Sequence, residues 1–191
     1  MRRLLGLVLV IASGACGEDP KPLTATVRWI DDCLREGMGR TGGPHVITGT
    51  NSSAGKDIKC TMSQEGALTR IEFLAVTGDN IDASSEAVFF SGEFAAVGRS
   101  AENSGQAAFR GTGWGVSRSA IVGQNPTAFP CEFQLTSADL STRSFSGRFK
   151  CAGLRADDMV PPRICAVRGQ NNLTRDAEWG DFTFSNCNAP D

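Results

Sequence analysis

The chain has 191 residues, with 19 Lys and Arg against 21 Asp and Glu and a formal net charge of −2. No cluster of basic residues breaks that balance, which excludes nucleic acid as a partner. Frequent glycine and phenylalanine, no tyrosine and no long helical periodicity point to a single all-β domain, an antiparallel β-sandwich or barrel-like fold.

The first element stands apart from that domain. Arg2 and Arg3 precede an apolar run, "LLGLVLVIA", from Leu4 to Ala12. A permanent membrane helix needs about 20 residues, so this shorter run fits the h-region of an export signal. Ser13 and Ala15 supply the small residues that a general signal peptidase reads. Gly14, Ala15 and Cys16 also match the last three positions of a lipobox, with Ser13 where Leu is usual. The segment therefore resembles the signal of a bacterial lipoprotein. That resemblance implies cleavage before Cys16, lipidation of Cys16 and, with Gly17 following, anchoring at the outer membrane. Residues 1–15 are then signal peptide, 16–22 the lipidated cysteine with a charged, proline-stiffened tether, and 23–191 the β domain. Burying acyl carbons contributes about 0.8 kcal/mol each, so two or three chains hold a protein at a membrane. Without lipidation, the same signal implies secretion.

Seven cysteines follow one logic. An odd thiol is awkward in an exported protein. Acylation of Cys16 leaves Cys33, Cys60, Cys131, Cys151, Cys165 and Cys187, an even set for three disulfides in an oxidising compartment. Pairing nearest neighbours gives Cys33–Cys60, Cys131–Cys151 and Cys165–Cys187. The absence of any Cys-x-x-Cys spacing argues against a metal site, and no cofactor is implied.

Along the domain, strands are expected where apolar residues alternate. These are 23–30, 57–63, 68–76, the strongly apolar 86–98, and 106–123 as one bent strand or a hairpin. Residues 131–154 read as a hairpin and 180–187 as a closing strand. Loops are expected at 36–56, 77–85 and 153–163. The hairpin is the sharpest expectation. Setting Cys131 opposite Cys151 puts Phe133 against Phe149, Leu135 against Gly147 and Ser137 against Phe145, so one register serves both the disulfide and the apolar face.

Catalytic groups are few. His45 is the only histidine, in a Gly-rich stretch where an ordinary loop residue is expected. No Gly-x-Ser-x-Gly elbow is present, and "GTNSSAGKD" at 49–57 fails the phosphate-loop spacing. Acids cluster at Asp31-Asp32, at Asp79, Asp82 and Glu86, and at Asp157-Asp158, and a glycosidase would have to draw its two carboxyls from such groups. Of Trp29, Trp114 and Trp179, Trp114 lies between glycines with Arg110 and Arg118 near; Trp114 and Arg118 are the candidate ligand surface for a glycan or protein partner. The functional expectation is a non-enzymatic binding or structural module held at the bacterial cell envelope, with a carboxylate-based hydrolase as the alternative.

Overall fold

The computed structural model describes residues 21–35, 39–41, 43–78, 85–102, 105–110, 118–122, 131–156, 163–168 and 179–188. Every regular element among them is a strand. In chain order these are β1 (Thr24–Arg35), β2 (Gly39–Thr41), β3 (Pro44–Thr50), β4 (Lys56–Glu65), β5 (Leu68–Thr77) and β6 (Ala87–Phe94). They continue with β7 (Gly105–Arg110), β8 (Arg118–Val122), β9 (Cys131–Asp139), β10 (Ser144–Ala156), β11 (Arg163–Arg168) and β12 (Gly180–Ser185). The all-β expectation is met, by one continuous curled sheet rather than two stacked ones. Its order is β11-β1-β12-β10-β9-β8-β7-β6-β5-β4, with β2 and β3 paired to β1.

Alternation fills the interior. Val27, Trp29, Ile47, Ile71, Phe73, Val88, Phe90, Phe109, Phe133, Phe149, Phe182 and Phe184 are all buried. Phe73 of β5 lies 4.6 Å from Phe184 and 5.1 Å from Phe182, ring centre to ring centre, although β12 is not its neighbour in the sheet. Such contacts exist only because the sheet curls until its inner face meets itself. Each buried phenylalanine contributes about 1.5–3 kcal/mol of apolar burial, so this aromatic interior is the main store of stability.

The curl brings the free edge of β4 to the end of the chain. Asn188 bridges to Thr61 in parallel, its N–H donating to the Cys60 carbonyl at 3.0 Å and its carbonyl accepting from the Met62 N–H at 3.4 Å. The Cys60–Cys187 disulfide locks this seam. Cysteines that are neighbours in sequence therefore do not pair throughout, and Cys33–Cys60 and Cys165–Cys187 are both overturned. Strand closure, not chain proximity, chooses the partner of Cys60. On the backbone Cys33 and Cys165 stand opposite one another in the β1–β11 register.

Cys131–Cys151 forms as expected. The β9–β10 register matches at Cys131↔Cys151, Phe133↔Phe149 and Leu135↔Gly147, and then slips at a bulge, so Phe145 faces Ala138 and Ser146 faces Ser137. An extra residue on one strand lets the hairpin coil without turning Phe145 out of the core. Three elements fall where loops were expected. β2 and β3 lie within 36–56 and β11 begins at the end of 153–163. β3 does alternate, with His45 and Ile47 buried and Val46 exposed, but glycines flank it and mask the pattern. The stretch 106–123 resolves as a hairpin, β7 with β8.

Candidate functional site

Among the described residues, polar chemistry gathers in two places. The first is one end of the interior. Trp29 and His45 are cross-strand partners on β1 and β3, stacked with ring centres 4.9 Å apart. His45 is only 2% exposed and donates from Nδ1 to Glu86 Oε1 at 2.8 Å. The Glu86 N–H donates to Thr77 Oγ1 at 2.9 Å, which holds the start of β6 to the end of β5. His45 is thus a core residue rather than the loop residue expected. The reason is parity: β3 points 45 and 47 inward, and a neighbouring carboxylate satisfies the imidazole.

The second place is the outer face of β9, β10 and β12. Arg148 and Lys150 alternate with the inward Phe149, and Trp179 lies just ahead of β12. The Arg148 guanidinium carbon is 4.6 Å and the Lys150 Nζ 4.3 Å from the indole centre, a double cation–π contact. Arg148 Nε also donates to Gln134 Oε1 at 2.6 Å, and Lys150 pairs with Glu132 at 3.5 Å. Beside them Arg28 pairs with Asp181 at 3.5 Å, while desolvation holds the Asp181 carboxyl above its ordinary value against that arginine.

This face continues into a groove of about 590 Å³ lined by Ala95, Gly98, Arg99, Ser100, Glu102 and Gln134. The groove has a structural cause. β8 meets β9 only at Val122↔Cys131, so most of that edge of β9 is left to the segment after β6. The Ala101 N–H donates to the Phe133 carbonyl at 2.8 Å, and the Gly98 N–H to the Leu135 carbonyl at 2.7 Å. Two side chains of β9 tie groove to indole. Gln134 Nε2 donates to the Gly98 carbonyl at 2.8 Å, and Ser100 Oγ donates to Glu132 at 2.6 Å. The result is a fixed wall of amide, carboxylate, guanidinium and ammonium groups with a half-buried indole at one end.

The residues singled out from sequence fare unevenly. Cys16, Trp114, Asp79, Asp82, Asp157 and Asp158 lie outside the described residues. Arg118 opens β8, its backbone opposite Phe109. Asp31 and Asp32 sit on β1 opposite Val167 and Ala166. Trp29 is core. Trp179 carries the surface contacts, and its signal was the polar alternation Glu132, Gln134 and Arg148, Lys150 on facing strands. The chain matches no protein-family model, and no curated protein is significantly similar to it.

Proposed function

We propose that the protein is an exported, non-enzymatic binding module, held at the bacterial outer membrane by a lipid on Cys16, that takes a glycan in the groove beside Trp179. The basic and apolar start of the chain and the two disulfides support export, since disulfides persist in oxidising compartments. The single observation that carries the binding reading is the polar groove joined through Gln134 and Glu132 to the indole. Rigid hydrogen-bonding groups next to an aromatic side chain suit a hydroxyl-rich ligand.

The test is a glycan array followed by titration calorimetry, on the mature protein and on Trp179→Ala and Gln134→Ala. Retention of a glycan, weakened about tenfold or more in both variants, supports the reading; equal binding by the variants overturns it. The hydrolase alternative has its own observation, because Glu102 lines the groove and Glu132 is bonded to Ser100 within it. Release of reducing ends that disappears in Glu102→Gln would favour that alternative.

A further inference from the structure

We infer that the β9–β10 turn, from Asp139 to Ser144, is the surface that meets the membrane, and that Trp179 and its groove are held on the side away from the lipid. This inference rests on the lipid anchor proposed above and adds to it the face that touches the bilayer. Its starting point is where the tether joins the sheet. Asn186 Nδ2 donates to the Pro22 carbonyl at 3.0 Å, and the Asn51 N–H to the Leu23 carbonyl at 3.3 Å. Leu23 itself is buried. The chain is therefore fixed beside the end of β12 from Pro22 onward, which leaves residues 17–22 to reach the lipid on Cys16. Fully extended, they span about 20 Å at most. A tether this short keeps the surface around Pro22 next to the bilayer.

The same asparagine ties that surface to the β9–β10 turn. The Asn186 N–H donates to Ser144 Oγ at 3.4 Å, and the Cys187 N–H to the Arg143 carbonyl at 3.0 Å. Asn186 bends the chain here in a left-handed backbone, φ 58°, which asparagine tolerates. Leu140 is 47% exposed in the turn, with Ser141, Thr142 and Arg143 exposed beside it. A leucine standing singly on a surface carries no meaning by itself; this one stands at the root of the tether. In the bilayer interface its side chain enters the acyl boundary while the Arg143 guanidinium meets phosphate oxygens. Asp139, the acid of the turn, is engaged by Ser141 and Thr142. The β3–β4 turn shares this corner through Asn51, but residues 51–55 offer no large apolar side chain. The other end of β12 carries Trp179, a strand's length of about 20 Å from Asn186. Towards that end, Val46, Arg28, Asp181 and Arg148 form one row across β3, β1, β12 and β10.

The experiment puts the full mature protein, extracted from membranes, into phosphatidylcholine vesicles with and without bromine on the acyl chains, which quenches indole fluorescence on contact. Intact mass and flotation with the vesicles are read first and report the anchor alone. Leu140→Trp and Val46→Trp then each add one indole at an exposed position, Val46 being 48% exposed. Expected is loss of most of the emission added by Leu140→Trp in brominated vesicles, with that added by Val46→Trp unchanged. Thr142→Trp, exposed in the same turn, takes the place of Leu140→Trp if that variant does not fold. An acylated, floating protein whose turn indole stays unquenched overturns the inference and leaves the anchor standing. Quenching of Val46→Trp as strong as that of the turn does the same, because the sheet face then lies against the lipid. A mature chain without an acyl group overturns the anchor and this inference with it.

Discussion

Phe73 shows how much one side chain holds together. Its ring lies within 6.5 Å of the rings of Phe90, Phe133, Phe145, Phe182 and Phe184, which come from β6, β9, β10 and β12. Removing it empties the point where the curled sheet meets itself. Phe73→Ala is expected to cost about 3–5 kcal/mol, read as a lower urea midpoint. At the β9–β10 turn, Asp139 accepts from the Ser141 hydroxyl at 2.6 Å, from its N–H at 2.8 Å, and from the Thr142 N–H at 3.3 Å. These bonds, the Ser141 hydroxyl first, hold the Asp139 carboxyl below its ordinary value of 3.8. A lowered folded pKa stabilises the fold above the unfolded value and loses that contribution as pH falls through the folded one. The turn amides of Ser141 and Thr142 should therefore lose protection, measured against the unfolded-chain exchange rate at each pH, as the solution is taken below the ordinary carboxylate range. Asp139→Ala should show that loss of protection already at neutral pH and no acid step at this site.

At the scale of elements, the β9–β10 hairpin shows what alternation settles and what it leaves open. The pairing from Cys131 to Leu135 follows from face parity alone. The bulge beyond it does not, because it answers to the curvature that the rest of the sheet imposes. Gly147 belongs to the same adjustment. A Cβ there would lie 2.5 Å from the Gln134 carbonyl oxygen and would overlap the Phe182 ring. Backbone cannot yield as a flexible side chain can, so Gly147→Ala should destabilise by about 1–3 kcal/mol, seen as a lower melting temperature with the disulfides intact. The polar wall of the groove is a consequence of elements too. β8 is too short to cover β9, so the chain after β6 crosses its edge and delivers Ser100 to Glu132.

For the whole molecule, closure is the deciding event. Cys60 and Cys187 are 127 residues apart, and loop-closure entropy assigns a crosslink of that span about 5 kcal/mol, against about 3 kcal/mol for the 20-residue separation of Cys131 and Cys151. Cys60→Ser with Cys187→Ser should thus lower the midpoint more than Cys131→Ser with Cys151→Ser, measured by urea unfolding of the two double variants. With those four cysteines bonded and Cys33 opposite Cys165 on the backbone, a non-reducing digest should recover a peptide linking Cys33 to Cys165. Intact mass of the protein extracted from membranes then reads three disulfides and a diacylated Cys16 together; a mature chain with an unmodified Cys16 thiol would remove the anchor.

What the chain determined by itself is what near neighbours can decide. A period of two sorts Phe133, Phe149, Phe182 and Phe184 to one face of their strands. Cys131 and Cys151 can be matched because a single tight turn joins them. Only the tertiary structure decided the partner of Cys60, the burial of His45 against Glu86 and the groove beside Trp179. Each depends on which distant strands the curl brings together, and on which edge a short strand leaves uncovered. Local periodicity encodes the face a side chain takes, but not what the closed sheet sets against it.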